Sequence, residues 1–385
     1  MADGKTVLVL GGGVGGLVAT NRLCKRLPSG HRVVLIERER EQLFQPSLLW
    51  LAVGGRTPEA IQRPLARLAH RRAEVRIGAI ESLDANTRTV RVSGQQLAGD
   101  ALIVALGADL APETIPGLSE AGHNLYSLAG ATRFRDELAA FGAGRIVVLT
   151  ATPAYKCPAA PYEAAMLIES ALRRRGVRHR VQIDVYAAEA GPMGVTGPAL
   201  SSAVRGVVES KGIAYYPEHQ VTAVDPAARR ISFANGAAAD FDLLLYVPPH
   251  RAPRVVRNAG LLGESGWIDA DRHTFETRFP GVYAIGDVTG IPLAMGKPLP
   301  KAGVFAHAEA EVVAENIASA WSGGTQRRTF DGEGACFLET GDGRAGIGVG
   351  NFYAEPTPQV KLRAPARRWH WGKVLFERRW LSGWG

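Results

Sequence analysis

The sequence has few cysteines and no long apolar run. Its 385 residues include only Cys24, Cys157 and Cys336, too few and too scattered for a disulfide framework of the secreted kind. None belongs to a CxxC pair, so we expect no zinc or other metal site. In a reducing compartment, a disulfide between distant cysteines is more often catalytic than structural. No stretch of eighteen apolar residues occurs, so the sequence predicts no helix that spans a bilayer.

The start of the chain lacks the pattern of a secretory signal peptide. Five residues lead directly into Thr6–Leu10, a short apolar run typical of a buried strand. The sequence therefore predicts a protein on the cytoplasmic side. Hydrophobic residues make up 46% of the chain, which indicates a globular protein, and its length allows two or three domains.

Glycines follow the first apolar run in a pattern typical of a dinucleotide-binding turn. The run Gly11-Gly12-Gly13-Val14-Gly15-Gly16 precedes a helical segment, and a second strand, residues 33–36, ends at Glu37. Glycines permit a tight turn and a close approach to a pyrophosphate, which the helix N-terminus stabilises, while the acid accepts bonds from a ribose. The predicted nucleotide-binding residues here are Gly11, Gly13, Val14, Gly16, Glu37 and Arg38.

Two later segments have the form of further motifs for the same nucleotide. A buried strand at residues 101–106 ends in a small-residue turn, where we predict contacts from Ala105 and Gly107. Another strand, at residues 281–285, ends in Gly286-Asp287. These resemble the second and third FAD motifs of flavoproteins with two dinucleotide domains, in which the Asp matching Asp287 binds the ribityl chain. Asp287 could instead cap the following helix. Three motifs in order predict FAD.

A second half of the same type begins at residue 145 but lacks glycine in its turn. A strand (145–149), a helix (164–175) and a strand (181–186) recur, yet the connecting segment Thr150–Glu163 contains three prolines and no glycine. Such a turn cannot approach a pyrophosphate closely. We therefore predict that NAD(P)H is not the electron donor.

Cys157 lies in that glycine-free segment, near the predicted start of a helix. The helix N-terminus and Lys156 are expected to lower the pKa of its thiol, and Glu163 is a candidate proton acceptor. Cys336 lies in a strand-like segment near the C-terminus. Either cysteine alone could be a buried apolar residue, and Cys24, in the middle of a helix, is expected to be one.

The segment Lys156-Cys157-Pro158-Ala159-Ala160-Pro161-Tyr162-Glu163 resembles the CPPAPYE segment of two flavoprotein families. These are the sulfide:quinone oxidoreductases and the flavoprotein subunit of flavocytochrome c sulfide dehydrogenase. Cys336 matches the position of their second redox cysteine, and the resemblance extends over residues 7–381. It implies a redox disulfide between Cys157 and Cys336 beside the flavin, which sulfide attacks to leave a persulfide.

The resemblance is incomplete at two positions. Tyr126-Ser127 stands where many sulfide:quinone oxidoreductases carry a third cysteine, which argues against the building of long polysulfide chains. The cysteine that binds flavin covalently in flavocytochromes is also absent, since the matching stretch is Leu43–Leu48. FAD is therefore expected to be held non-covalently.

The segment before the last helix of the FAD domain is a candidate for stabilising reduced flavin. Lys301 precedes a helix that we predict to run to about Ile317, and the helix N-terminus favours negative charge. Lys301 could equally be an exposed loop residue. His307 is given no catalytic role.

The C-terminal segment is both basic and aromatic. From Lys361 onward there are seven Lys or Arg and one acid, and four of the seven tryptophans lie in the last 17 residues. As a helix, Trp369, Phe376, Trp380 and Trp384 would share one face, interrupted by Lys373, which suits a lipid headgroup interface. Packing of these aromatics on the protein's own core is the alternative. No nucleic-acid-binding motif accompanies the charge.

The sequence thus predicts an α/β fold with two Rossmann-like domains, the second without a nucleotide loop, and a C-terminal segment with an amphipathic helix. The expected boundaries are 1–112 with 250–325 for FAD, 113–249 for the second domain, and 326–385. The expected activity is sulfide oxidation with electron transfer through FAD to a membrane quinone, in a peripheral membrane protein. Alternatives are a flavocytochrome c-type subunit, a type II NADH dehydrogenase and a non-enzymatic redox sensor. The oligomeric state, including a homo-oligomer, is left open.

Overall fold

The structure is a computed structural model that describes residues 4–383. The described residues form α-helices with the following bounds: α1 Val14–Arg26, α2 Leu48–Ala52, α3 Leu65–Leu68, α4 Leu118–Ala121, α5 Leu128–Ala140, α6 Ala160–Arg174, α7 Pro198–Glu209, α8 Arg254–Asn258, α9 Gly303–Trp321 and α10 Arg367–Leu381. The long helices of the two Rossmann-like halves begin directly after glycine- or proline-containing turns, as the sequence pattern predicts.

Most strands are short, and the apolar ones lie at the centres of two sheets. Their bounds are β1 Thr6–Leu10, β2 Arg32–Glu37, β3 Glu41–Leu43, β4 Gln62–Pro64, β5 Glu74–Ile77, β6 Ile80–Asp84, β7 Thr89–Val92, β8 Gln95–Ala98, β9 Ala101–Val104, β10 Asp109–Leu110, β11 His123–Asn124, β12 Gly144–Thr150, β13 Val181–Ala187, β14 Ala214–Tyr216, β15 Val221–Asp225, β16 Arg230–Phe233, β17 Ala238–Asp240, β18 Leu243–Val247, β19 His250–Arg251, β20 Val282–Ala284, β21 Glu333–Gly341, β22 Arg344–Asn351 and β23 Gln359–Ala366.

The first large sheet is parallel, with strand order β20-β9-β1-β2-β5. The strands β1 and β9 consist almost entirely of buried apolar residues, because helices and loops cover both faces of a parallel sheet. Strand β20 comes from a much later part of the sequence than its neighbour β9. This confirms that the first Rossmann-like unit is built from two separate stretches of chain.

The second large sheet repeats this arrangement with the order β11-β18-β12-β13-β14, again with parallel pairing. Its central strands β12 and β18 are buried along most of their length. The predicted α/β fold with two Rossmann-like units is therefore confirmed, while the residue boundaries of the domains stay a prediction.

The C-terminal part forms a third layer. Strands β21, β22 and β23 make an antiparallel sheet, and α10 packs on it. Strand β21 also packs against α6 of the second Rossmann-like unit. This contact brings the segment with Cys336 next to the segment with Cys157. In the range 4–383, no helix combines the length and the apolar character needed to cross a membrane.

Candidate active site

The glycine turn after β1 is closed too tightly for side chains at two of its positions. A Cβ atom on Gly11, whose φ is 101°, would lie 2.4 Å from the carbonyl oxygen of Ala105, and one on Gly16 would lie 1.8 Å from the carbonyl oxygen of Gly11. A Cβ on Gly13, in contrast, would meet no atom within 4 Å. The turn is thus tight against the protein and open where a ligand would approach.

Glu37, at the end of β2, holds this turn in place. Its Oε2 accepts a hydrogen bond from the Gly12 N–H at 2.6 Å, and its Oε1 accepts one from the Glu39 N–H at 3.0 Å. The neighbouring Arg38 is exposed and lies 3.6 Å from the Glu39 carboxylate, so its role in binding stays a prediction.

The other predicted nucleotide residues lie at the same edge of the sheet. The strands β1, β2, β9 and β20 are parallel, so the residues that follow them meet at one end. Gly107 has a φ of 68° with open space around it, and Asp287 follows β20 in a short 3₁₀ turn that covers Gly286–Val288. Val14 begins α1, whose N-terminus points to this edge. The residues present therefore fit an FAD molecule held across the carboxyl ends of the strands.

The second Rossmann-like unit has a comparable acid, Glu189, two residues beyond the end of β13. Three hydroxyl groups donate to its carboxylate: those of Thr150, at 2.7 Å, Tyr155 and Tyr162. All three come from the glycine-free segment or from the helix after it. The acid at the position where a nucleotide ribose would bind is thus already used by the protein's own side chains. Sequence reasoning missed Glu189.

Cys157 and Cys336 line one apolar cleft. The cleft lies between the segment before α6, the start of α9 and the sheet that contains β21. Its other walls include Phe305, Phe337 and Phe352. All three cysteines are free in the structure, and Cys24 is buried in the core of the first unit, as predicted.

The predicted low thiol pKa of Cys157 is wrong. Burial raises the pKa of Cys157 far above its usual value, and the nearby Cys336 and Glu163 raise it further. Burial also raises the pKa of Cys336 to about 11. The helix α6 begins only three residues after Cys157, and its contribution is smaller than the cost of removing a thiolate from water. Among the cations, Lys373 rather than Lys156 has the largest opposing effect on Cys157.

Glu163 is buried and bonded in a way that the sequence did not indicate. Its Oε1 accepts hydrogen bonds from the Lys373 ammonium at 2.8 Å and from the Glu339 N–H at 2.7 Å. Burial alone would lower the pKa of Lys373, but Glu163 and Glu339 outweigh it and raise that pKa. A charged lysine therefore lies beside the two cysteines, and the predicted role of Glu163 as a proton acceptor stays a prediction.

Polar contacts hold α10 to the body of the protein. Besides Lys373, Glu377 accepts hydrogen bonds from Ser47 at 2.5 Å and from Arg56 at 2.7 Å, and Trp380 donates to Gln42 at 3.2 Å. The predicted lipid-facing side of this helix is wrong in part, because Trp380 is only 5% exposed. Trp384 lies outside the described residues. The large apolar side chains that α10 does expose are Trp371, Leu375 and Phe376.

Lys301 is not the exposed loop residue that was the alternative to its flavin role. It is 8% exposed, and its ammonium donates to the carbonyl oxygens of Asp287 at 2.8 Å and Thr289 at 2.7 Å. Burial lowers its pKa to about 8. Helix α9 begins two residues later, at Gly303, and continues to Trp321 rather than to Ile317.

The fold and the site agree with the protein family whose model matches this sequence. The family model described as pyridine nucleotide-disulphide oxidoreductase matches residues 5–310, and the chain belongs to that family. It is an oxidoreductase, and FAD is its cofactor.

Several individual members of this family are similar to the chain over most of its length. The mitochondrial sulfide:quinone oxidoreductase of Mus musculus is 25% identical over 366 residues, which cover 91% of this chain and 79% of the relative. The sulfide-quinone reductase of Aquifex aeolicus is 26% identical over 395 residues, which cover 98% and 90%. The crystal structure of the sulfide:quinone oxidoreductase from Aquifex aeolicus superposes with a TM-score of 0.88 at 25% identity and covers 98% of this chain and 92% of that one. The predicted family resemblance is thereby confirmed.

Proposed function

We propose that the chain oxidises sulfide at a disulfide between Cys157 and Cys336 and that a membrane quinone finally accepts the electrons. The observation that carries the proposal is that these two cysteines, distant in the sequence, line the same cleft. Relatives that align over most of this chain are named for sulfide and quinone. The pairing itself follows from the family resemblance.

In the proposed reaction, HS⁻ attacks one sulfur of the disulfide. The S–S bond breaks, the attacked cysteine becomes a persulfide and the other cysteine leaves as a thiolate. The incoming sulfur is oxidised and the disulfide is reduced by two electrons. FAD, when bound non-covalently at the edge of the first sheet, supplies the acceptor that passes the electron pair to the quinone.

The residues around the cleft suit this chemistry. Burial disfavours a thiolate, so a thiolate that is released inside the cleft is a strong electron donor. The Lys373 ammonium, fixed by Glu163, offsets part of the negative charge that appears when the disulfide opens.

Anaerobic rapid mixing tests the proposed donor. Sulfide should reduce the flavin, seen as loss of its visible absorbance within seconds, whereas NADH and NADPH should not, because Glu189 is bonded to Tyr155 and Tyr162. Rapid reduction by NADPH would show that the glycine-free segment does admit a nicotinamide nucleotide. Reduction by neither donor would reject sulfide oxidation while leaving the FAD fold intact.

The lipid surface is the second part of the proposal. Trp371 is 61% exposed and Leu375 is 66% exposed, one helical turn apart on α10. Exposed Arg368, Arg378 and Arg379 lie on the same helix, and aromatic and basic residues together suit the headgroup region. Phe376 contacts Phe44 at 5.7 Å between ring centroids. This contact links the exposed surface to the residues around Leu43–Leu48, the stretch that matches the site where flavocytochromes attach flavin. Phe376, Phe352 and Tyr353 are candidate residues along the route by which quinone reaches the flavin.

Flotation with anionic liposomes tests the lipid surface. Deletion of the tail would also remove Lys373 and Glu377, so point changes are needed. Trp371→Ser with Leu375→Ser should reduce the bound fraction strongly and lower turnover with a long-chain quinone more than with a soluble analogue. Ile77→Ser, which changes an exposed apolar residue elsewhere, is the matched control. Equal flotation of both variants would show that α10 is not the contact.

A further inference from the structure

Two buried lysines lie near Asp287, and they differ in what their ammonium groups contact. The Lys301 ammonium is satisfied by the protein, because it donates to two backbone carbonyls and lies 3.5 Å from the centre of the Trp267 ring. These contacts fix the turn that carries Asp287. Lys301 is thus bonded to the protein itself whether or not a cofactor is bound.

Lys156 is as buried as Lys301, at 9% exposed, but its ammonium has no hydrogen bond or ion pair with any residue of the range 4–383. The nearest aromatic ring is that of Tyr126, with 5.5 Å between the ammonium and the ring centre. Burial lowers the pKa of Lys156, and Asp287 is the group that most opposes this effect. The stem of the side chain is buried while the ammonium keeps some accessible surface, so its unused donors are open to a group that enters the site.

The backbone on either side of Lys156 is held firmly. Its carbonyl oxygen accepts a hydrogen bond from the Tyr126 hydroxyl at 2.5 Å, and the next N–H, that of Cys157, donates to the Lys301 carbonyl at 2.6 Å. Cys157 itself has a φ of 50°. The backbone position of Lys156 is therefore fixed by the fold.

His250, which lies near Lys156 and Lys301, is neutral. His250 packs edge-on against Tyr126 at 5.6 Å, and its Nδ1 lies 2.8 Å from the Pro248 carbonyl oxygen, so that nitrogen carries the proton. Burial lowers the pKa of His250 to about 3, and the charge of Lys156 adds to this effect. His250 contributes no positive charge at neutral pH.

We propose that Lys156 is the cation that faces the flavin ring and offsets the negative charge that the ring gains on reduction. A flavin that takes up two electrons and one proton gains one negative charge, and an ammonium in a buried site stabilises that charge more than one in water. The inference rests on FAD as the cofactor and is independent of which donor reduces it. It assigns to Lys156 the role that the sequence indicated for Lys301.

The midpoint potential of the flavin in the FAD-loaded protein tests the proposal, measured against a reference dye without sulfide or quinone. Lys156→Met should lower the equilibrium constant for reduction about tenfold, or roughly 30 mV for a two-electron couple. Lys156→Arg should recover most of this loss because it keeps the charge. Lys297→Gln removes an exposed lysine and should leave the potential unchanged. An unchanged potential in Lys156→Met, or equal shifts in Lys156→Met and Lys297→Gln, would overturn the proposal.

Thermal unfolding with and without added FAD gives an independent measure. Because the ammonium is unsatisfied by the protein, Lys156→Met should unfold at a higher temperature than the parent when FAD is removed. The same variant should gain less stability from added FAD than the parent does. If Lys156→Met fails to fold, the protein itself must satisfy the ammonium, and the proposal is overturned.

Discussion

Each Rossmann-like unit has an acid at the end of its second strand or just beyond it, and the partners of the two acids differ. Within residues 4–383, Glu37 accepts hydrogen bonds from two backbone N–H groups, those of Gly12 and Glu39. Glu189 accepts them from three side-chain hydroxyls. In the first unit the acid remains beside an open glycine turn, and in the second unit the protein's own tyrosines contact it. One scaffold thus holds a nucleotide in one copy and a cysteine in the other.

Both units have the same parallel-sheet scaffold, and they differ in the turn that follows their first strand. The second unit keeps its parallel sheet and its helix α6, and the segment before this helix places Cys157 in the cleft. The hydroxyls of Tyr155 and Tyr162 donate to Glu189 and so take the place of the ribose hydroxyls that bind such an acid in a nucleotide site. The second unit has the glycine-free segment Thr150–Glu163 where the first unit has its glycine turn.

The largest effect on activity is expected when either cysteine of the cleft is replaced. Cys157→Ser and Cys336→Ser should each abolish flavin reduction by sulfide and leave bound FAD in place, since the FAD motifs lie in the first unit. Anaerobic absorbance spectra with sulfide measure both properties. Cys24→Ala, a change in the core of the first unit, is the control and should react at the parental rate. Equal loss of activity in all three variants would indicate a folding role.

The next effect concerns Lys373, which joins α10 to the cysteine cleft. Lys373→Met leaves Glu163 buried without its cation, which should lower the free energy of unfolding by about 3–5 kcal/mol. The combined change Glu163→Gln with Lys373→Met should recover much of the stability but not the rate of sulfide oxidation. Denaturant unfolding and stopped-flow rates separate the two. Recovery of the rate together with the stability would mean that the pair acts only on folding.

Substitution of the two acids should affect different properties, stability for Glu189 and FAD binding for Glu37. Glu189→Gln should lower the free energy of unfolding by about 2 kcal/mol, because hydroxyl bonds to a charged acceptor are stronger than those to an amide, and FAD affinity should not change. Glu37→Gln should weaken FAD binding about tenfold through lost ribose contacts. Titration of the apoprotein with FAD and denaturant unfolding provide the measurements. Equal loss of FAD from both variants would remove the distinction between the two units.

The sequence predicted features that depend on neighbouring residues and missed those that depend on distant ones. The glycine turn, the order of strands and helices around it and the loss of glycine in the second turn are local patterns, and the structure agrees with them. The pairing of Glu163 with Lys373 joins α6 to α10, and nothing local indicates it. The sequence also predicted that α10 is a helix, but it did not indicate which side of the helix is buried. That side carries Lys373 and Glu377, which can be buried only because their partners are present.

The smallest expected effect concerns the acidity of the cysteine thiols in the second unit. With a pKa of about 11, Cys336 should be thiolate in roughly one molecule in a thousand at pH 8, and Cys157 in fewer. Alkylation of the reduced protein by iodoacetamide should therefore rise about tenfold for each pH unit from 8 to 10, as peptide mass spectrometry can follow. Lys373→Met should slow alkylation at each pH, because the ammonium lowers both pKa values. A rate that levels off below pH 9 would show thiols already ionised, and the buried cleft would then not be what controls their reactivity.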